Sequence, residues 1–289
     1  MIIVDLNQVM IANIMVQIGS YTNVKMEVNF IRHMVLNSLR SYKQKFSGYG
    51  EMIIAADHRK YWRRDIFPYY KANRKKNREK SDLDWTSLFE AMNNIRNELK
   101  EFFPYRVIQV EGAEADDIIS ILVQKHGTQN VVHAQDPILI LSGDKDFIQL
   151  QKFSNVEQYD PVRKKFIKDK NPELYLKQHI MRGDSGDGVP NFLSDDNCFV
   201  IGQRQKPLTK KKLEAWIGFD DPKEFCTNET MLRNYMRNKQ LIDLMEIPDW
   251  VRNNIMDEYN SQKGKGRNHL FNYFIEHKLK NLMEHINEF

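Results

Sequence analysis

The sequence predicts an α/β protein: a central, mostly parallel sheet flanked by helices, followed by a mainly helical C-terminal region. Three observations carry this. Up to about residue 170, short apolar runs alternate with longer stretches of helical apolar spacing. Acidic residues gather where those apolar runs end. Beyond residue 170 the strand-like runs stop and only helical periodicity continues.

The elements follow in order. Ile2 to Leu6 reads as a buried strand ending on Asp5, and Val28 to Phe46 as a helix built on Phe30, Ile31, Met34, Val35 and Leu39. Met52 to Ala56 is a second buried strand, leading to Asp57. A basic segment at 58–82 comes next. Ser81 or Asp82 is expected to cap a helix from about Asp84 to Phe102. Tyr105 to Val110 is a third strand, and Glu114 opens a helix to about Lys125. Ile138 to Leu141 is a fourth strand, Lys145 to Leu150 a short helix, and Val156–Tyr159 with Lys165–Ile167 a small hairpin. The spacing then predicts helices at 172–181, 208–217, 229–245, 250–260 and 268–286, with an irregular stretch from Pro190 to Pro207. A division near residue 170 gives a region 1–170 and a region 171–289.

In parallel sheets the functional edge lies beyond the carboxyl ends of the strands. Asp5, Asp57 and Asp144 stand at or near such ends, and Glu114 follows another. The acidic runs are Glu114-Ala-Asp116-Asp117, Asp144-Lys-Asp146 and Gly183-Asp184-Ser-Gly-Asp187. Each alone has an ordinary reading. Acids at a helix start suit the positive end of its dipole, and Asp-Lys-Asp suits a turn. Together, each at an element boundary, they read as one divalent-metal site. Two unit charges at 4 Å repel by roughly 4 kcal/mol at an effective dielectric near 20, so such a cluster requires cations. All-oxygen ligation favours magnesium, with manganese as a substitute, over zinc.

Charge placement points to the partner. The 289 residues carry a net charge of only +4, with 41% hydrophobic residues. Residues 59–80 hold ten Lys or Arg against two acids, whereas the rest of the chain holds 33 against 37. A basic segment beside an acidic site suits a polyanion held near metal. Arg63, Arg64, Lys71, Arg74, Lys75, Lys76 and Arg78 are placed to meet phosphates, and Trp62, Tyr69 and Tyr70 to stack on unpaired bases. Interleaved aromatics separate this stretch from a disordered charge run. Arg204, Lys206, Lys210, Lys211 and Lys212 form a second basic cluster at a helix start.

Other features bound the class. Cys198 and Cys226 lack metal-ligand spacing and suit a reducing cytoplasm. The N-terminus has no basic stretch ahead of its apolar run and carries Asp5, which argues against a secretory leader, and no apolar run is long enough to span a membrane. The tail places Phe271, Phe274, Ile275, Leu279, Leu282 and Ile286 at helical spacing. It either packs on the body or docks a partner, with Phe289 as an exposed aromatic.

The ordered motifs resemble those of the structure-specific 5′ nucleases, a family that includes flap endonucleases and the 5′ nuclease domains of bacterial DNA polymerases. Tyr61-Trp-Arg-Arg-Asp65, Tyr69-Tyr-Lys-Ala-Asn-Arg74, Trp85 and the ending Ile286-Asn-Glu-Phe289 narrow the resemblance to its bacteriophage ribonuclease H group. The resemblance covers essentially the whole chain. It implies two metal positions. Asp57, Glu114, Asp116 and Asp144 would hold the first ion, with Asp5 close by. Asp146, Asp184 and Asp187 would hold the second, and Asp117 would contribute through water. It implies hydrolysis of phosphodiesters by two metal ions without a protein nucleophile. It further implies that 58–82 arches over the site, that Lys71 and Arg74 act with Asp144 in catalysis by stabilising the scissile phosphate, and that 171–289 grips duplex DNA. The glycine-rich hairpin usual in the family is replaced by Asn191–Lys206, with only Gly202 retained, which argues against a monovalent-ion site there. Expected partners are branched or nicked DNA and RNA–DNA hybrids with a 5′ end, and a single-strand-binding protein or sliding clamp of replication. The expected form is a monomer in the host cytoplasm. The alternatives are a catalytically weak or silent module that binds branched DNA and a small single-domain metal ribonuclease. The full acid set argues against a silent binder, and the long helical second half against the small ribonuclease.

Overall fold

The structure is a computed structural model that describes residues 1–18, 28–79, 83–128 and 136–289, without the side chains at 16–18 and 75–77. Ile2–Asp5 (β1), Met52–Ala55 (β2), Arg106–Ile108 (β3), Ile138–Leu141 (β4), Val156–Asp160 (β5) and Lys165–Ile167 (β6) form one sheet in the order β3-β2-β1-β4-β5-β6. Pairing is parallel from β3 through β5, and β6 is antiparallel to β5. β1, β2 and β4 are buried along their whole length, as strands covered on both faces must be. The chain runs outward from β1 through β2 to β3, then returns to the other side of β1 as β4. The crevice beyond the carboxyl ends of β1 and β4 is therefore a topological switch point, the usual place for a ligand in such sheets.

The pleat divides the apolar residues into two cores. Ile2, Val4, Ile54 and Leu139 face one side, under Leu6–Ile18 (α1), Val28–Lys45 (α2) and Trp85–Phe102 (α5). Ile3, Ile53, Ile108 and Ile140 face the other, under Ala115–His126 (α6) and Asp249–Ser261 (α10). A third core joins Phe67 and Tyr70 of the basic segment to Pro172–Arg182 (α7), Lys210–Trp216 (α8) and Glu229–Ile242 (α9). Within the basic segment lie the short helices Arg63–Ile66 (α3) and Ala72–Glu79 (α4). Asp84 caps α5 by accepting from the Ser87 amide at 3.1 Å. The expected caps Ser81 and Asp82 lie outside the described residues.

Four expectations change. α1 has no forerunner in the pattern, because its apolar residues are spread around the helix rather than striped along one face. The predicted helix 229–245 stops at Ile242, where Gln149 accepts from the Leu244 amide and donates to the Ile242 carbonyl. The predicted helix 268–286 breaks into Leu270–Glu276 (α11), Lys280–Met283 (α12) and a 3-10 turn, Ile286–Glu288. Lys278 turns left-handed at φ 55° between the first two. This reversal buries Phe274, Leu279 and Leu282 in the sheet core and leaves Phe271 and Ile275 exposed. Phe289 is the clearest correction. Expected as an exposed docking aromatic, it is fully buried against Phe103 and Phe274, with ring centroids at 5.6 and 5.3 Å.

Candidate metal centre

The first acids come from the strand ends. Asp5 closes β1 and is nearly buried, accepting from the Gln8 amide and the Ser142 hydroxyl, both at 3.1 Å. Burial, then the charges of Asp57 and Asp144, push its carboxyl up to about 7. Asp57 follows β2 and accepts from the Ala115 amide and the Asn7 side chain, each at 2.7 Å. It thereby ties the strand end to the start of α6. Asp144 follows β4 and caps the 3-10 helix Lys145–Lys152 by accepting from the Asp146 amide at 3.0 Å. Burial raises its carboxyl too.

The start of α6 supplies the next three. Asp117 accepts from the Glu114 amide at 2.9 Å, which satisfies a free helix-terminal N–H. Glu114 is buried, with Oε1 at 2.5 Å from Lys71 Nζ and Oε2 accepting from Arg63 and Tyr70 at 2.9 and 3.0 Å. Burial acts to raise its carboxyl, but Lys71 and Arg63 outweigh it and hold it below the usual range. Asp116 is half-buried, and burial together with Asp144 pushes it well up.

The third group comes from the 3-10 helix, α7 and the turn after α7. Burial, then Asp144, push Asp146 up to about 8. Asp184 accepts from the amides of Gly186 and Asp187 at 2.7 and 3.1 Å. Burial works against these bonds and His179, yet Asp184 ends below the usual range. Asp187 is ion-paired with Arg74 and lies 3.4 Å from Lys71 Nζ. Its carbonyl accepts from the Lys71 amide at 2.7 Å. Gly188 beside it has φ 75°, and a Cβ there would meet the Tyr69 carbonyl at 3.0 Å, so glycine lets the foot of the basic segment close on this turn. Lys71 itself takes φ 56°, which points it into the cluster. It stays strongly protonated, because Glu114 and Asp187 outweigh its burial. Carboxyls raised this way in one crevice are a donor set that a hard divalent cation fits, since the cation removes their mutual repulsion.

A cavity lined by Arg63, Tyr70, Asp116, Asp146, Asp184 and Asp187 joins the second and third groups. The structure also redistributes the expected roles. Arg63 is 2% exposed, bonded to Leu241, Glu114 and Asp117. It anchors the segment from inside and cannot touch DNA. Asp117 is fully buried and turned toward Arg63, Trp62 and the Glu114 amide, so it is part of that anchor. Trp62 and Tyr70 are buried as well, with the Tyr70 hydroxyl donating to Glu114 and Asp187 at 3.0 and 2.8 Å. Neither can stack on a base. Arg64 is exposed over the Tyr61 ring, and Arg78 lies over Phe89. The side chains of Lys75 and Lys76 lie outside the described residues. Arg204, Lys206, Lys210, Lys211 and Lys212 are all exposed. Lys206 and Lys210 make surface pairs with Asp195 at 3.3 Å and Glu214 at 3.6 Å, weak enough to yield to phosphate. The sequence reading missed His179, on the last turn of α7, whose ring nitrogens lie 3.5 Å from Asp146 and 3.5 Å from Asp184. A lone histidine five residues before Asp184 carries no spacing signal.

Residues 2–180 match the 5′-3′ exonuclease N-terminal resolvase-like domain, and residues 170–289 match the C-terminal domain of T4 RNase H. The chain is 34% identical to ribonuclease H of Enterobacteria phage T4, across 99% of this chain and 95% of that one. The flap endonuclease of bacteriophage T5, solved in a pseudo-enzyme-product complex with DNA and metal ions, is similar in fold. Its TM-score is 0.66 at 16% identity, over 90% of this chain and 97% of that one. The T5 5′-exonuclease solved with divalent zinc ions has a TM-score of 0.60 at 17% identity, over 91% and 99% of the two chains. The chain therefore belongs to the 5′-3′ exonuclease family, continues into a C-terminal domain of the T4 RNase H kind, and is a 5′ nuclease.

Proposed function

We propose that the chain hydrolyses phosphodiester bonds at 5′ ends with two divalent cations, magnesium in the cell and manganese as a substitute. It would remove RNA primers and adjoining DNA and cut 5′ flaps. The observation that carries this is the gathering of Asp116, Asp144, Asp146, Asp184 and Asp187 at a sheet switch point, with Lys71 and Arg74 beside them. Asp57, Glu114, Asp116 and Asp144, with Asp5 close by, would hold one ion, and Asp146, Asp184 and Asp187 the other. Bound ions supply polarisation of the phosphate and a more acidic water.

The remaining work falls to the chain itself. Lys71 and Arg74 now neutralise Glu114 and Asp187. With cations held among the carboxylates, those two side chains would be free to turn toward a substrate phosphate, where charge develops during displacement. Arg64 and Arg78, with Lys75 and Lys76, would guide the 5′ strand. Arg204, Lys206, Lys210, Lys211 and Lys212, all in the 171–289 region, would grip the duplex. The complex of the T5 flap endonuclease with DNA and metal ions supports the substrate class. A replication single-strand-binding protein or clamp as partner, a monomeric state and the host cytoplasm belong to this reading. Among the described residues, no helix is long and apolar enough to cross a membrane.

The test is digestion of a 5′-labelled flap and a 5′-labelled RNA–DNA hybrid with and without magnesium. Metal-dependent release of short 5′ products from both supports the assignment. Cleavage that persists in EDTA would overturn it.

A further inference from the structure

We propose that His179 supplies an imidazole nitrogen to the second metal position, beside Asp146 and Asp184, so that this position holds manganese or a later first-row divalent ion more tightly than carboxylates alone would. The proposal rests on the metal reading above and gives the second position a ligand of a different chemical class.

The geometry carries it. His179 Nδ1 lies 3.5 Å from an Asp146 oxygen, and Nε2 lies 3.5 Å from an Asp184 oxygen. One donor atom from each of the three residues falls within 4.8 Å of the others. Donors that share an ion at about 2.0–2.2 Å stand roughly 3.0–3.5 Å apart when adjacent. The Nδ1–Asp146 spacing matches that and is long for a hydrogen bond, whereas the 3.5 Å to Asp184 runs from the other ring nitrogen. The two nitrogens are also unequal. Nδ1 is buried without a hydrogen-bond partner. If Nε2–H is directed to Asp184, Nδ1 presents a lone pair to the carboxylate of Asp146. Two lone pairs face each other favourably only across a proton or a cation.

The ring is held in place. Tyr175, one turn earlier on α7, packs edge-on against it with centroids 5.8 Å apart. The His179 carbonyl accepts from the Gly183 amide at 2.8 Å, which closes the helix just before Asp184. A metal-bound histidine whose other nitrogen is fixed by a carboxylate is a recurrent arrangement. Magnesium prefers oxygen and water, whereas imidazole suits transition ions. One nitrogen among carboxylates therefore biases the choice of ion at this position.

The experiment is manganese binding by the full-length protein, followed by electron spin-echo envelope modulation of the bound ion. Two manganese ions per chain are expected, one showing nitrogen modulation that changes when histidine is labelled with nitrogen-15. His179→Gln should remove that modulation. It should weaken manganese at one position by about 10-fold or more, as loss of a metal-supporting residue does, and change magnesium affinity by less than about threefold. A conserved thermal transition in His179→Gln guards against misfolding. Two bound manganese ions without nitrogen modulation, or modulation that survives His179→Gln, would overturn the role of His179 and leave the metal reading standing. Failure to bind manganese at all would overturn both.

Discussion

Two groups of carboxylates sit side by side in this molecule and differ in where their counter-charge comes from, although burial raises Asp117 of the first group as it raises the acids of the second. In the anchor, Asp117 and one oxygen of Glu114 face Arg63 inside the protein, and the chain supplies the cation permanently. In the open bowl, Asp116, Asp144 and Asp146 have no such arginine, and their carboxyls are pushed up by burial and by one another. Residue type alone does not separate structural acids from chemical ones. What separates them is whether the counter-charge is built into the fold. The anchor fixes the base of the basic segment to α9 and α6. The bowl is left for ions that come and go.

The largest expected effects test this division directly. Asp144→Asn should lower cleavage on the order of 10³-fold, a scale set by loss of positioned electrostatics, while leaving flap affinity nearly unchanged, because it removes repulsion toward phosphate. Arg63→Met should do the reverse. Breaking a buried pair costs about 3–5 kcal/mol, so the thermal transition should fall steeply, whereas the exposed Arg64→Ala should shift stability by less than about 0.5 kcal/mol. Measured flap cleavage and melting curves for the three variants decide it. A stable Arg63→Met protein would erase the distinction between the groups.

Lys71 lies on the border between them, buried like the anchor yet paired to bowl acids. Lys71→Ala is expected to slow single-turnover cleavage by about 10²-fold. Flap affinity should change far less, since one phosphate contact is a small share of a salt-dependent total. A normal rate with weakened binding would place Lys71 with the steering charges. Asp187→Asn should have a smaller effect than Asp144→Asn, because Arg74 and Lys71 already compensate part of the Asp187 charge. Magnesium titrations of both variants measure the gap, and identical residual rates and magnesium dependence would count against two distinct positions.

The sheet, the order of the acidic runs and most helices were legible, because apolar runs and element boundaries are local signals. Asp5, Asp57, Glu114 and Asp144 sit where those boundaries placed them. What was not legible is which way a side chain turns within a motif. Asp116 and Asp117 are neighbours in sequence, yet one faces the bowl and the other is sealed against Arg63. The same blindness made Arg63, Trp62 and Tyr70 look like contacts for nucleic acid. A basic-aromatic pattern cannot tell a surface that grips from a foot packed on α9. His179 had no local signal, since its meaning comes from Asp146, which lies 33 residues earlier in the chain. The tail misled for a related reason. Its apolar spacing continues through Lys278, where the backbone reverses and carries Phe289 inward.

The smallest expected effect is on the pH dependence of stability in the metal-free protein. Asp5 and Asp146 are carboxyls raised to about 7 and about 8. A carboxyl with a raised folded value binds its proton more tightly in the native state. Its contribution is complete below its unfolded value near 4 and is lost as pH climbs through the folded one. His179 is also raised, despite its burial, by Asp184 and Asp146, and it too loses its contribution as pH rises. The lowered acids, Glu114 and Asp184, work in the other direction but only below about pH 4–5, outside this window. Between pH 5.5 and 8.0 the bowl therefore pulls stability down. Melting in EDTA at both pH values should show the wild type losing on the order of 5 °C more than Asp146→Asn, since asparagine has no charge to expose. Saturating magnesium should remove the difference, because the ion stabilises the ionised carboxylates that high pH creates. If wild type and Asp146→Asn fall equally between the two pH values in EDTA, the bowl is not storing repulsion, and the contrast with the Arg63 anchor loses its energetic basis.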